Sequence, residues 1–131
     1  MNTFFCATLA AAGLWLVLPS PVMADIREYE FQLVEARYKT VASVELAVRL
    51  VNKTTGKPVP DAVIFARRMD MEPDGMATMT SPLEPRPVAE PGLYRFRTTL
   101  GMAGRWRLSL AAKVQGEEGT VEGRLMLEAV P

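Results

Sequence analysis

Five methionines are the residues of this chain best suited to chemistry. Four lie within eleven residues, at Met69, Met71, Met76 and Met79, and the fifth, Met102, is followed closely by glycine. Thioether sulfur is a soft, uncharged donor that suits monovalent copper. The chain contains no histidine, and imidazole is a usual ligand of zinc, copper(II) and iron. The cluster therefore indicates either a copper(I) site or flexible packing of irregular gaps.

The spacing of these methionines indicates how their sulfurs could meet. Pro73, Asp74 and Gly75 form a turn sequence, so two methionines would enter a bend and two would leave it. Residues two apart on a strand point to the same face, and a turn elsewhere could add a fifth ligand from a distant strand. The cofactor would be copper(I), and silver would be an alternative soft ion. The predicted metal ligands are Met69, Met71, Met76, Met79 and Met102.

The acidic residues of the same segment allow a second interpretation. The pattern Asp70-x-Glu72-x-Asp74-Gly75 imitates the start of a calcium-binding loop. However, its third position is Glu, Pro73 stiffens it, and a serine stands where a bidentate glutamate is needed. We therefore expect these carboxylates to solvate the turn, or to attract a cation, rather than to form a calcium loop.

Residues 1–24 have the character of a secretory signal peptide. They contain no charged side chain, and the apolar run 4–18 is followed by two prolines and the small-residue sequence VMA at 22–24. This pattern predicts cleavage after residue 24 and a periplasmic location. The alternative is an uncleaved membrane anchor, but the run is shorter than the roughly 20 residues that a span needs. No membrane span is expected after cleavage.

The remaining residues, 25–131, are expected to form one domain. The only cysteine, Cys6, lies in the leader, so this domain can form neither a disulfide nor a thiolate metal site. The 15 basic and 15 acidic residues balance, which leaves no basic excess for nucleic acid. Without histidine or cysteine, triads and thiol chemistry are excluded, and no cleft is marked for paired carboxylates. We predict that the protein is not an enzyme.

Apolar residues in the domain alternate with a period of two, which is typical of half-buried antiparallel strands. The clearest runs are 42–50 and 105–114, and further strands are predicted at 59–68, 93–100 and 120–130, with an opening strand near 29–33. Four prolines between 82 and 91 predict a stiff connection that cannot be a central strand. The pattern favours an all-β immunoglobulin-like β-sandwich of about seven antiparallel strands, with a small barrel as the alternative.

Several motifs resemble the YtkA-like domains, which are grouped loosely with FixH-like periplasmic proteins. The resemblance runs through residues 55–62 (TGKPVPDA), the methionine segment 69–79, residues 91–94 (PGLY) and residues 101–108 (GMAGRWRL). It implies an exported immunoglobulin-like sandwich of the kind found with heavy-metal efflux or copper-oxidase assembly systems. The family commonly has histidine near its methionine turn, and this chain has none.

Two functions from different classes follow from these observations. The first is a periplasmic copper(I)-binding accessory or carrier protein that uses the methionine cluster, with an efflux pump or an oxidase assembly protein as its partner. The second is a metal-free immunoglobulin-like interaction module that docks on a membrane complex. In that case, the proline segment 82–91 or an exposed edge strand would make the contact.

Overall fold

A computed structural model describes Gly13 and residues 26–40, 43–87 and 90–131. The predicted signal peptide, apart from Gly13, lies outside these described residues. Within them, no helix is both long and apolar enough to cross a membrane. Short 3₁₀ turns occur at Ile26–Glu28 and Glu72–Asp74, and the rest of the regular structure is β.

The described residues form nine strands. Five strands, here named β1, β3, β7, β8 and β9, follow the predicted runs to within two residues at each end, and β4 begins and ends three residues later than its predicted run. Three strands were not predicted: the three-residue strands β2 and β6, and β5. The bounds are β1 Tyr29–Leu33, β2 Arg37–Lys39, β3 Val44–Asn52, β4 Ala62–Met71, β5 Met76–Ser81, β6 Glu84–Arg86, β7 Leu93–Thr98, β8 Gly104–Val114 and β9 Val121–Val130.

The strands form two sheets, which confirms the β-sandwich. Sheet I has the order β1-β3-β7-β6, and sheet II has the order β2-β9-β8-β4-β5. All pairings between strands are antiparallel except that of β2 with β9, which is parallel. No described strand of one sheet pairs with a strand of the other, so the alternative prediction of a small closed barrel is wrong. The proline segment contributes only β6, which lies at the edge of sheet I, as its composition requires.

The core lies between the two sheets and follows from the period-two pattern. On β3, Val44, Leu46, Val48 and Leu50 are buried, while Glu45 and Arg49 are exposed. Sheet II contributes alternate residues of β8 from the other side. Each side chain of this size gains about 1.5–3 kcal/mol on burial, so the alternation fixes both the register and the inner face.

Polar contacts join the sheets where the chain crosses from β5 to β6. The Ser81 hydroxyl lies 2.9 Å from the Thr98 hydroxyl and donates to the Thr99 carbonyl at 2.6 Å. The Thr99 amide in turn donates to the Ser81 oxygen at 3.1 Å. Because these groups are buried or partly buried, each unmade bond would cost about 1–3 kcal/mol. The contacts therefore fix the position at which β5 leaves sheet II.

Strand β4 is buried at one end and exposed at the other. Its last three residues, Met69, Asp70 and Met71, have no solvent exposure, and the corresponding residues Ser81, Thr80 and Met76 of β5 pair with them. Earlier in the strand, Phe65 occupies a break in register between the partners of Ile64 and Ala66, and it is 55% exposed. The sequence predicted simple alternation here and gave no sign of this bulge.

The tight approach of Gly92 to Pro58 provides a test of this packing. Gly92 has φ +77°, and an added Cβ would lie 2.4 Å from the Pro58 Cβ. Gly56 has a similar φ of +71° but open space around it. We expect Gly56→Ala to lower the free energy of unfolding by about 1 kcal/mol, the cost of left-handed backbone. Gly92→Ala should cost about 2–5 kcal/mol, because overpacking is added.

Urea unfolding followed by circular dichroism measures both variants. Equal losses of stability in the two variants would contradict the close packing of the Gly92 turn against Pro58.

Candidate functional site

The methionine segment, residues 69–79, contains the end of β4, the turn that follows it and the start of β5, which together form the end of a hairpin. Its tip is the 3₁₀ turn Glu72–Asp74, and Gly75 ends the turn in the left-handed conformation, with φ 76°. The Gly75 amide donates to the Glu72 carbonyl at 2.8 Å. Proline suits the start of such a turn, and glycine suits its left-handed end. The predicted bend at Pro73–Gly75 is therefore present.

A charged clamp holds this turn against the start of β8. Asp74 accepts hydrogen bonds from the Arg105 backbone amide at 2.7 Å and from its guanidinium Nε at 2.9 Å. The same guanidinium donates to the Pro73 carbonyl at 3.0 Å. The bond from the backbone amide and then the bond from the guanidinium lower the pKa of Asp74 below its ordinary value. The Asp74 carboxylate is therefore ionised at neutral pH, where it accepts both hydrogen bonds.

Two of the five predicted ligands lie in the core. Met69 and Met71 have no solvent exposure, and both belong to the buried cluster between the sheets. Their shared inward face agrees with the prediction from spacing. Met69 pairs with Ser81 on one side and Leu108 on the other, which places it away from the hairpin tip. Met71 pairs with Met76 and therefore lies at the tip itself.

The other three predicted ligands are more accessible. Met76 is partly buried and packs against the core, while Met79 and Met102 are 39% and 42% exposed. Met79 lies in a three-residue stretch of β5 that has no partner on β4, because the register jumps from Thr80 to Met76. The structure thus brings Met71 and Met76 directly together, and it places Met79 in the irregular part of the hairpin.

Gly104 is the point where the start of β8 lies closest to the hairpin tip. A Cβ added to Gly104 would lie 2.7 Å from the Met71 methyl carbon and 2.5 Å from an oxygen of Asp74. Met102 is two residues earlier, so its Cα is at most about 7.6 Å from that of Gly104. Three methionine residues from three chain segments, Met71, Met76 and Met102, therefore lie at one end of the sandwich. We call this region the methionine end.

Trp106 fixes the turn that holds Met102. Its indole N–H donates to the Met102 carbonyl at 3.1 Å, and its side chain is buried. A buried indole needs a partner for its N–H, so this bond positions the turn as well as satisfying the donor. The sequence did not indicate this link between Trp106 and Met102.

Asp70 forms a buried ion-pair network on the opposite face of β4. Its carboxylate is 2.8 Å from Arg68 Nε and 3.2 Å from Arg107 Nη2, and it accepts the Glu72 amide at 3.0 Å. Burial raises the pKa of Asp70, but the bonds from Arg68, Glu72 and Arg107 outweigh burial and lower it. Sequence reasoning missed this network. The available signal was an aspartate inside a strand, two residues after an arginine.

The same contacts bear on the calcium-loop interpretation. The carboxylates of Asp70 and Asp74 are each held by arginines, Asp70 by Arg68 and Arg107 and Asp74 by Arg105. Among the described residues, no group of three or more His, Cys, Asp or Glu side chains is arranged to hold a metal. The acidic residues of the segment therefore serve to anchor the hairpin.

A comparison with protein families finds one match. The model of the family described as YtkA-like matches residues 23–111, well over half of the chain. This range includes all five predicted ligands. The match is to the YtkA-like family, so the FixH-like part of the sequence resemblance stays a prediction. Among curated proteins, no match is found.

Solved structures of similar shape are distant in sequence. A crystal structure of the Lin-41 filamin domain has a TM-score of 0.49 and 15% identity, and the match covers 76% of this chain and 91% of that one. The ZirS C-terminal domain has a TM-score of 0.47 and 11% identity, and the match covers 100% of this chain and 85% of that one.

The buried network predicts how stability depends on pH. Because the folded pKa of Asp70 is lowered, its contribution to stability is complete above the unfolded pKa of about 3.9. That contribution is lost as pH falls through the folded value. Asp70→Asn should therefore reduce the free energy of unfolding by about 1–3 kcal/mol at pH 7 and by less at pH 3.

The measurement is urea unfolding at both pH values, with the exposed Asp61→Asn as the matched control. Asp61→Asn should change the free energy of unfolding little at pH 7. A loss for Asp70→Asn that is no larger than the loss for Asp61→Asn at pH 7 would contradict the network.

Proposed function

The chain belongs to the YtkA-like family, and we propose that it is a copper(I)-binding accessory protein that exchanges the ion with a partner. The protein would work in the periplasm, after export by the leader at residues 1–24. Its partner would be an efflux pump or an oxidase assembly protein. Copper is the cargo in this proposal, and the methionine end is where the protein holds it.

One observation carries the proposal. Met71 and Met76 are directly paired across β4 and β5, and the Met71 methyl reaches Gly104, two residues after Met102. Cβ atoms of residues paired in this way are about 4.5–5.5 Å apart. The two side chains therefore leave the strands side by side, at the end where the turn bearing Met102 crosses. The proposal therefore uses three of the five predicted ligands, Met71, Met76 and Met102.

The donor chemistry favours a soft monovalent ion. Thioethers carry no charge and do not titrate, so they compete poorly for the harder ions that prefer carboxylates or imidazole. The domain has no histidine and no cysteine to offer instead. Copper(I) and silver(I) both suit such a set. The absence of thiolates also favours exchange of the ion over permanent retention.

The graded exposure of the three side chains suits a transfer site. Met71 is fully buried, Met76 is partly buried, and Met102 is 42% exposed. An ion could first meet Met102 at the surface and then be held by the deeper sulfurs. A site built only to fill the core would not need an exposed thioether in a turn. Met69 lies two residues farther from the hairpin tip than Met71, so the proposal gives it a packing role. Whether Met79 is a ligand is decided by the experiment below.

Copper(I) titration of the purified protein under anaerobic conditions tests this proposal. A chromophoric chelator competes for the ion, and the protein should remove about one equivalent. Met76→Leu and Met102→Leu should each weaken binding at least tenfold, because losing one of three ligands costs about 1.4 kcal/mol or more. Leucine has a similar volume to methionine, so both variants should fold.

The matched control is Met126→Leu. Met126 is an exposed methionine on β9, outside the methionine end. Its replacement should leave the copper(I) affinity unchanged. A loss of affinity in Met79→Leu would indicate a fourth sulfur ligand, and an unchanged affinity would indicate three. If the chelator keeps all the copper at every protein concentration, the proposal is wrong.

A second candidate function rests on a separate observation, the open edge of β4. Strand β5 pairs only with the last three residues of β4, which leaves residues 62–68 with a single neighbouring strand among the described residues. On this stretch Val63 and Phe65 are 62% and 55% exposed. Exposed apolar edges accept an extended segment from another chain. This surface would suit a metal-free interaction module, and Arg67 and Arg68 beside it favour an acidic segment.

A photo-crosslinking amino acid at position 65 tests the second function. In intact cells it should give a defined adduct with one membrane-complex protein. The same group at position 45, on an exposed site of β3, should not. Adducts of the same kind and yield at both positions would argue against docking at the β4 edge.

A further inference from the structure

Three arginines surround one small residue on the outer face of sheet II. Ser109 of β8 pairs with Arg68 of β4 on one side and with Arg124 of β9 on the other. Arg107 is two residues earlier on β8 and points to the same face. Neighbouring strands are about 4.8 Å apart, so the three side chains start within a few ångströms of the Ser109 position. We call this surface the arginine basin.

Small residues make the basin concave. Ala66, Ser109 and Ala111 lie at its floor, and the backbone of Gly123 borders it. The depression has a volume of about 350 Å³. Longer side chains at these positions would fill the space between the arginines, and a flat sheet face would hold no small ligand. The volume is more than enough for an oxyanion with its bound water.

The arginines keep donors that nothing in the described protein uses. The Nε of Arg107 is buried and has no hydrogen-bond partner. Among the described residues, no ion pair involves Arg124. Because the Arg107 Nε is shielded from solvent, as is the equally unpaired Nε of Arg97 on sheet I, the argument for a ligand rests on Arg124 and on the outer N–H groups of Arg107.

Asp70 gives two of the arginines a fixed position. It holds Arg68 through Nε and Arg107 through Nη2, and Arg68 also donates through Nη2 to the Ala77 carbonyl at 2.8 Å. Glu72 is 3.5 Å from Arg107 Nη1. These contacts hold the guanidinium groups in place before any ligand arrives. A ligand therefore has less side-chain entropy to overcome.

We propose that the arginine basin binds an anionic oxygen group, either a phosphate or a carboxylate. Guanidinium groups recognise both through paired N–H donors, which is why arginine is preferred over lysine at such sites. Among the described residues no ion pair involves Arg124, so its guanidinium supplies the main donors. Arg107 adds the outer N–H donors that Asp70 and Glu72 do not occupy, and the Ser109 hydroxyl adds a donor at the floor. This site is separate from the methionine end and does not depend on copper.

Glu122 limits the strength of the site. It borders the basin on β9, and its charge repels an anion. Asp70 and Glu72 also offset part of the charge of Arg68 and Arg107. The basin is therefore selective for a group that reaches Arg124 and Arg107 together, rather than for any negative charge. Replacing Glu122 should strengthen binding, because it removes a negative charge at the border of the basin.

Titration with inorganic phosphate and with succinate, at constant ionic strength, tests the proposal. Backbone amide shifts in two-dimensional NMR should change and saturate for residues of the basin, above all Ser109 and Arg124. A response to phosphate alone indicates a phosphorylated ligand. A response to succinate alone indicates a carboxylate source, such as an acidic side chain of a partner, and a response to both supports a site for anionic oxygen groups in general.

Three variants make the test specific. Arg124→Gln should weaken binding about fivefold or more, the loss expected for a charged hydrogen bond at a partly exposed site. Glu122→Gln should strengthen it about two- to fivefold. Arg49→Gln is the matched control, because Arg49 is an exposed mid-strand arginine of sheet I that forms no ion pair with any other described residue. It should leave the affinity unchanged.

The proposal is overturned by any of three results: shifts that do not saturate with either anion, an equal loss of anion affinity in Arg124→Gln and Arg49→Gln, or no gain of anion affinity in Glu122→Gln. Loss of copper binding would not affect the outcome, so this test is independent of the proposed function.

Discussion

The clamp between Asp74 and Arg105 is the contact on which the methionine end depends. Two hydrogen bonds to the Asp74 carboxylate and one to the Pro73 carbonyl hold the hairpin tip on the first residues of β8. Gly104 allows the approach, because any side chain there would collide with Met71 and Asp74. Without this clamp the hairpin tip would be free to move, and the sulfurs of β4 and β5 would have no fixed relation to Met102.

The two faces of β4 near the hairpin have different roles. Inward, Met69 and Met71 complete the core and extend it to the methionine end. Outward, Asp70 lies between them in sequence and anchors Arg68 and Arg107. Because successive side chains of a strand point to opposite faces, these three residues place two methionines on the inner face and one carboxylate on the outer face. The charged face supports the arginine basin, and both faces rely on the same pairing of β4 with β8.

Local sequence patterns were enough to predict the sandwich and the bend, because they depend on neighbours in the chain. The alternation at Val44–Leu50 and the turn at Pro73–Gly75 are examples. The bulge at Phe65, the burial of Asp70 and the contact of Met71 with Gly104 depend on pairings between distant strands. Register decides these features, and a single sequence does not reveal register. The methionines were identified by type and spacing, but their different depths became visible only in the fold.

The most direct measurement for the methionine end is X-ray absorption at the copper edge of the protein loaded with copper(I). Three thioether ligands predict a first shell that contains sulfur alone, with a sulfur number that falls by one in Met102→Leu. A first shell of nitrogen or oxygen, or a spectrum unchanged in Met102→Leu and Met76→Leu, would contradict a copper site built from Met71, Met76 and Met102.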